Sequence, residues 1–372
     1  MAKKRIVIKI GSSSLTTNQG KLSEKQMEHV TQMIAASYRD NYEVIVISSG
    51  AVSAGFGEMG YPVRPQTLKG KQAAASVGQT VLMRHYQDRL NANGVVSAQL
   101  LLTRADFTDE ERYHHMFNTF DELFKRGVVP IINENDATAV DELTFGDNDM
   151  LASLVSGFIH ADQLIIWTDV DGIYNGNPLT DAHAEKIYSL TGLPAELIDG
   201  IDNSSSSSVG TGGMKSKLSA ADRALSMGVP VFIGNGIHQH AVHDVIAGQG
   251  NGTYLYPTTD RPMKTKKQWI AFHSDIKGSL TVDNGAAEAL VENYHSLLPV
   301  GIISVQGEFI EGDVITVYDS DGNLLGNGKA GISKNELATM IASGSSPASK
   351  TRTAIHRDDW ITIKEEKKGE SL

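Results

Sequence analysis

Short apolar runs alternate with longer amphipathic stretches along the first two thirds of the chain. The runs are rich in valine and isoleucine, and they lack the strict alternation of a strand with one face in solvent. Such runs predict strands that are buried on both faces, as in a parallel sheet covered by helices. The six predicted strands span residues 5–10, 44–48, 95–100, 128–133, 163–168 and 229–234.

Apolar residues at helical spacing fill much of the sequence between these runs. The first predicted helix opens with Ser23 and Gln26, which have the spacing of a capping box. Each of the other three ends at a glycine, where a left-handed C-terminal cap is expected. Strands that alternate with helices predict an α/β fold. The predicted helices span residues 23–39, 68–93, 109–126 and 215–227, and the capping glycines are Gly94, Gly127 and Gly228.

The pattern changes near Pro257, so we expect a domain boundary there. Residues 1–258 would form the α/β domain, and the polar, basic residues 259–268 are typical of a linker. Short strand-like segments with closely spaced turn signals follow. They predict a small, mostly β domain over residues 269–357, and the charged residues 358–372 predict a C-terminal tail.

Composition narrows the possible functions. The 372 residues have a formal net charge of −11, which argues against nucleic acid or an anionic membrane as the main partner. The absence of cysteine excludes disulfides, thiolate metal sites and cysteine nucleophiles. No long apolar run and no secretory signal is present, so we expect a soluble, cytoplasmic protein without a membrane partner.

A glycine-rich segment, residues 210–217, provides the clearest chemical signal. Its glycines leave backbone N–H groups accessible to a polyanion, and a helical pattern follows directly, so phosphate binding at a helix N-terminus is expected. Lys217 would add a full positive charge within reach of the phosphates. The spacing differs from that of the Walker loop, so a different phosphate-binding fold is required.

Polar loops follow four of the predicted strands. Because the carboxyl ends of parallel strands meet at one edge of a sheet, these loops should lie together. Any one of them is explained by turn formation alone, but together with the glycine-rich segment they favour an active site. No metal site is predicted, because the cluster of His238, His240 and His243 has no supporting thiol or carboxylate pair. The G-x-G-x-x-G pattern at residues 55–60 is interpreted as a turn, since it does not directly follow a strand.

In their order along the chain, these segments resemble the amino acid kinase family. The resemblance extends over essentially the whole chain, because residues 269–357 resemble a PUA domain. It implies a three-layer αβα sandwich with a mainly parallel open sheet, and a kinase that uses ATP and Mg²⁺. It is strongest to the branch that phosphorylates the side-chain carboxylate of L-glutamate, the first step of proline biosynthesis. The matching segments are Lys9-Ile10-Gly11-Ser12, Ser48-Ser49-Gly50-Ala51, Leu101-Leu102-Thr103-Arg104, and residues 133–136, 146–149, 168–174 and 210–217.

The resemblance also implies roles for individual residues. Lys9 and Lys217 would be catalytic and would stabilise the transferred phosphoryl group, while Asp149 would orient the two lysines. Ser49, Asp136 and Asn148 would bind glutamate, although helix capping is an alternative role for Asp136 and Asp149. Mg²⁺ would be held mainly by the ATP phosphates. The implied ATP-binding residues are Lys9, Thr168, Asp169, Thr211, Gly212, Gly213, Met214, Lys215, Ser216 and Lys217.

Other functions and partners remain open at the level of sequence. Sister kinases act on N-acetylglutamate or on uridylate, and the resemblance further implies feedback inhibition by proline and a dimer or tetramer. PUA domains also occur in RNA-modifying enzymes. However, residues 270–357 contain six Lys or Arg and ten Asp or Glu, a net charge of −4, so RNA binding is not expected.

Overall fold

A computed structural model describes residues 3–17, 21–138, 147–176, 178, 181, 183–199, 213–258, 265–342 and 352–363. The chain forms two compact units, each with its own hydrophobic core. Unit 1 consists of Met1–Asp106 and Arg112–Pro262, and unit 2 of Phe107–Glu111 and Met263–Leu372. No helix in the described parts of the chain is long and apolar enough to cross a membrane.

Unit 1 is built on an eight-stranded sheet with the order β3-β4-β2-β1-β5-β9-β10-β8. All neighbouring strands are parallel except β9 and β10, so the predicted mainly parallel sheet is confirmed. β6 and β7 form a separate two-stranded sheet. The strands are β1 (Arg5–Ile10), β2 (Glu43–Ser48), β3 (Ser97–Leu102), β4 (Val129–Glu134), β5 (Gln163–Trp167), β6 (Ile173–Tyr174), β7 (Lys186–Ile187), β8 (Ser189–Thr191), β9 (Val231–Gly234) and β10 (Gly252–Tyr256).

The helices in the first part of the chain, of which α4 and α5 include residues of unit 2, confirm the predicted caps. The Ser23 side chain accepts a hydrogen bond from the Gln26 amide, and Gly94, Gly127 and Gly228 all have positive φ. β3 begins two residues later than predicted, because the Val95 amide bonds back to Leu90 and so completes the end of the preceding helix. The helices are α1 (Glu24–Arg39), α2 (Ala51–Gly55), α3 (Leu68–Ala92), α4 (Ala105–Thr108), α5 (Glu110–Lys125), α6 (Asn148–Phe158), α7 (Ala195–Asp199), α8 (Met214–Ser226) and α9 (Ala241–Ile246), with a 3₁₀ turn at Ser12–Ser14.

The first strand lies near the middle of the sheet. β1 pairs with β2 on one side and with β5 on the other, so Ile10 is in register with both Ser48 and Trp167. Strands that follow β1 in the sequence therefore lie on both sides of it, and the strand order changes direction there. Loops at such a switch point diverge and leave a crevice beyond the carboxyl ends of the strands.

Two glycines allow the backbones of α2 and α3 to pack in direct contact. A Cβ built on Gly78 would overlap the carbonyl oxygen of Ala51, and one on Gly55 would overlap the carbonyl oxygen of Ala74. This contact fixes the start of α2 and the loop that precedes it, where Gly50 has φ +100°. Residues 56–60 form a turn beyond α2, in agreement with the interpretation of the glycine pattern.

Unit 2 is a five-stranded sheet with the order β12-β11-β13-β14-β15, as expected for a mostly β domain. The domain boundary predicted at residue 357 falls inside β15. The strand continues because Trp360 and Ile361 are buried in the core of the unit, so the first residues of the predicted tail are part of the fold. The last residues of the predicted linker form a short helix, α10. The elements are β11 (Ile276–Val282), β12 (Ile302–Gly307), β13 (Val314–Tyr318), β14 (Leu324–Ala330), β15 (Ile355–Thr362), α10 (Thr265–Gln268), α11 (Asn284–Val291) and α12 (Lys334–Ala342), with a π-helical turn at Trp269–His273 and a 3₁₀ turn at Pro299–Gly301.

Candidate active site

A cavity lies at the carboxyl ends of β1, β2, β4 and β5, within unit 1. The loops that follow these strands form much of its wall, as the parallel arrangement requires. The structure brings together most of the residues selected from the sequence, from segments more than two hundred positions apart. Those that line the cavity are Lys9, Ser49, Asp136, Asn148, Asp149, Thr168, Asp169 and Lys217.

A buried carboxylate joins two lysines at the base of this site. Asp149, in the first turn of α6, is fully buried. Its Oδ1 lies 2.7 Å from Lys9 Nζ, and its Oδ2 lies 3.1 Å from Lys217 Nζ. Both lysines are themselves more than 90% buried. Strand β1 and helix α8 are thus connected through a single carboxylate at the start of α6.

The three charged groups leave a net positive charge inside the protein. Burial alone would raise the pKa of the Asp149 carboxyl, but the positive charges of Lys9 and Lys217 outweigh burial and hold that pKa below its ordinary value. Asp149 is therefore ionised at neutral pH, and one of the two positive charges remains unbalanced within the group. The additional positive charge within this group of three favours binding of an anion.

Asn148 lies beside Asp149 and holds the end of β2. Its Nδ2 donates to Ser48 O at 3.0 Å and to Ser49 Oγ at 2.9 Å. Its Oδ1 is buried and accepts no hydrogen bond from any described residue. Because buried polar atoms are almost always paired, this oxygen is well suited to accept a hydrogen bond from a bound molecule.

Asp136 and Arg64 face the cavity from two different loops. Burial raises the pKa of the Asp136 carboxyl, and the nearby positive charge of Arg64 partly opposes this effect. The cavity therefore contains an acidic and a basic group near Asn148, in addition to the lysine cluster. This pair has the charges needed to recognise a zwitterionic group.

The nucleotide residues inferred from the sequence are only partly described. Thr168 Oγ1 donates to Asp169 Oδ1 at 3.0 Å at the end of β5. Gly213 is the N-cap of α8, and Ser216 Oγ donates back to its carbonyl oxygen at 2.9 Å. Among the described residues of this segment, Lys217 lines the cavity, whereas Gly213, Met214, Lys215 and Ser216 do not. Thr211 and Gly212 lie outside the described residues.

Several lining residues were missed by the sequence interpretation. Arg64 belongs to the loop between α2 and α3, and Lys71 and Gln72 belong to the first turns of α3. The sequence did offer one signal, two cationic residues, Arg64 and Lys71, close to the start of the helix predicted over residues 68–93. That signal is weak, because solvent-exposed helices commonly have lysine at such positions.

No group of three or more His, Cys, Asp or Glu side chains in the described part of the chain is arranged to hold a metal ion. Both oxygens of Asp149 are already engaged by lysines.

Comparison with known proteins identifies both units. Residues 4–235 match the model of the amino acid kinase family, and residues 278–351 match the PUA domain. The chain is 48% identical to "Glutamate 5-kinase" of Shouchella clausii, over 98% of this chain and 99% of that protein. It is 47% identical to "Glutamate 5-kinase 1" of Bacillus subtilis, over 98% of this chain and the full length of that protein.

A solved structure supports the fold of unit 1. The carbamate kinase of Giardia lamblia, bound to AMP-PNP, matches 69% of this chain and 99% of its own length with a TM-score of 0.50. Its sequence is 17% identical, so the likeness concerns the fold alone.

Proposed function

The chain belongs to the amino acid kinase family, and we propose that it is a glutamate 5-kinase, which transfers the γ-phosphoryl group of ATP to the side-chain carboxylate of L-glutamate. The observation that supports this most strongly is the buried Lys9–Asp149–Lys217 cluster beside the amide of Asn148. The cluster suits a phosphoryl group in transfer, and the neighbouring polar wall suits an amino acid.

The acceptor needs no general base. The glutamate side chain has a pKa of about 4.3 in water, so it is already a nucleophilic anion at neutral pH. Its oxygen attacks the γ-phosphorus while the bond to the β,γ-bridging oxygen breaks, giving glutamyl 5-phosphate and ADP. The main barrier is electrostatic, because an anion approaches a polyanion.

Lys9 and Lys217 lower this barrier. Their ammonium groups would contact the oxygens of the phosphoryl group as it moves between donor and acceptor, and Asp149 would hold both in place. A charge at about 4 Å contributes about 4 kcal/mol at an effective dielectric constant of about 20, so each lysine can change the rate by orders of magnitude.

Glutamate would be recognised by Ser49, Asp136, Asn148 and Arg64. Asn148 Oδ1 and the Asp136 carboxylate are acceptors suited to the α-ammonium group, and Arg64 is a donor suited to the α-carboxylate. Ser49 Oγ accepts from Asn148, so its own hydrogen is available to a substrate carboxylate. Donors and acceptors in this wall thus correspond to those of an amino acid.

ATP would bind along the opposite side of the cluster, against Thr168, Asp169 and the glycine-rich segment that ends at Lys217. A helix N-terminus with free N–H groups favours phosphate there. Mg²⁺, bound mainly to the ATP phosphates, would supply further charge neutralisation. Proline as a feedback inhibitor and a dimeric or tetrameric assembly are part of the same proposal.

Trapping of the acyl phosphate tests the proposed reaction. The purified protein is incubated with ATP, Mg²⁺, hydroxylamine and glutamate, and the hydroxamate is measured. Hydroxamate should form with glutamate and not with aspartate or N-acetylglutamate. Formation with N-acetylglutamate alone, or ADP release only with uridylate, would assign the chain to a sister kinase.

A further inference from the structure

Gln79 lies outside the cavity wall but is connected to it by a chain of buried side-chain amides. The Gln79 and Asn133 side chains are 9% and 2% exposed. Asn133 Nδ2 donates to Gln79 Oε1 at 2.9 Å, and Asn148 Nδ2 lies 3.0 Å from Asn133 Oδ1. The two hydrogens of Asn148 Nδ2 are shared among this oxygen, Ser48 O and Ser49 Oγ. The chain ends at Asn148 Oδ1, the buried oxygen with no partner among the described residues.

Backbone groups determine the direction of this chain. The Glu134 amide donates to Asn133 Oδ1 at 3.0 Å, and the carbonyl oxygen of Ser48 accepts from Asn148 Nδ2 at 3.0 Å. A backbone N–H can only donate and a carbonyl oxygen can only accept. While these two bonds are made, Asn133 directs its oxygen towards Asn148 and its nitrogen towards α3, and the oxygen of Asn148 is the remaining acceptor.

In this orientation Asn133 Nδ2 needs an acceptor on α3, and Gln79 Oε1 is that acceptor. Without it, Asn133 Nδ2 would be a buried donor with no partner, which is costly. Asn133 could recover a partner only by rotating, and rotation would withdraw its oxygen from Asn148. The neighbouring Gly78 allows α3 to pack closely against α2.

We propose that Gln79 is a positioning residue for the amino acid acceptor. It acts through Asn133 to keep Asn148 Oδ1 available to the α-ammonium group of the substrate. This inference rests on the proposed function, since it requires an amino acid in the cavity. It predicts that the KM for glutamate changes independently of the KM for ATP.

Three variants of the full-length chain test the proposal. Gln79→Met keeps the size of the side chain but removes the acceptor, and it should raise the KM for glutamate about tenfold while the KM for ATP changes less than twofold. Gln79→Glu retains an oxygen at the same position and should keep the KM for glutamate within about threefold of the parent. Thr316→Val is the matched control, because it breaks a buried side-chain hydrogen bond to Asn327 within unit 2. It should lower the melting temperature and leave both KM values unchanged.

The outcomes separate the possible roles of Gln79. An unchanged KM for glutamate in Gln79→Met would overturn the proposal, as would an equal rise in both KM values, which indicates general loosening of the fold. Gln79→Glu behaving like Gln79→Met would also overturn it, since the acceptor would not be the property that matters. Failure of the parent protein to form glutamyl hydroxamate would instead overturn the proposed function.

Discussion

At the scale of single residues, Asp149 determines the electrostatics of the site because it is the carboxylate shared by Lys9 and Lys217. Asp149→Asn would leave two buried cations facing each other. We expect kcat to fall at least about 100-fold, since the lysines would no longer be held where charge develops. Steady-state kinetics measure the effect. Asp121→Asn, which removes the partner of the exposed Lys125, is the control and should leave kcat unchanged.

The same variant has a defined dependence of stability on pH. The folded pKa of Asp149 lies below its unfolded value of about 3.9, so its contribution to stability is complete above about pH 5 and is lost as the pH falls through the folded pKa. Loss of one partner of a buried pair costs about 3–5 kcal/mol. Denaturant unfolding at several pH values should show a difference of this size at pH 7 that shrinks below pH 4. A constant difference would contradict the assignment.

Sequence predicted some of the residues that line the cavity and missed others, among them Arg64 and Lys71. Lys9, Ser49 and Thr168 lie at or just beyond the ends of apolar runs, so the positions of the strand ends predict that they meet. The free acceptor of Asn148 and the contribution of Gln79 depend on which atom of an amide faces which neighbour. That orientation depends on residues that are distant in sequence, so the local sequence pattern does not predict it.

At the scale of secondary structure elements, the contact between α2 and α3 positions the acceptor side of the cavity. Gly78→Ala would place a methyl group against the carbonyl oxygen of Ala51 and force the helices apart. Overpacking of this kind costs about 1–3 kcal/mol, and displacement of Ser49 should also raise the KM for glutamate. Thermal unfolding and kinetics measure both effects.

Gly57→Ala is the control for this prediction. Gly57 lies in the turn beyond α2, and an added Cβ there meets no atom within 4 Å. Its stability and kinetics should match those of the parent. A Gly78→Ala variant that also matched the parent would show that the helices can separate without cost to the site.

The elements of the sheet were largely predictable, whereas some that complete the site were not. Strands buried on both faces give continuous apolar runs, and all six predicted in unit 1 are present. The expected burial was wrong for β3, which lies at the edge of the sheet and is largely half-buried or exposed. Helix α6 was missed because its first two residues were counted with the polar segment at residues 146–149. Its first turn nevertheless contains both Asn148 and Asp149.

At the scale of the whole molecule, the cavity belongs to one unit. All of the described residues that line it belong to unit 1, and unit 2 has its own core. A chain ending at residue 262 should therefore still form glutamyl hydroxamate, within about tenfold of the full-length rate per folded molecule. Circular dichroism establishes that the shortened chain is folded. A folded but inactive product would contradict the assignment of the whole site to unit 1.

Two domains were predicted from the change of pattern near Pro257, close to the end of unit 1 at Pro262. The boundary predicted at residue 357 falls inside β15, where Trp360 and Ile361 are core residues. A strand with one buried face needs only a few apolar residues to pack against the core. The sequence of such a short strand therefore resembles that of a polar chain terminus.

The central position of β1 has a consequence for synthesis of the protein on the ribosome. The first strand to emerge is one of the innermost, so β2 and then β5 can add to its two free edges without opening an existing sheet. β3 and β8 are the exceptions, since each has one neighbour in the described sheet, and that neighbour, β4 or β10, is made later. The nascent chain must therefore hold β3 unpaired until translation has passed residue 134 and β8 unpaired until it has passed residue 256, and during these two intervals the unpaired strands are exposed to non-native strand pairing.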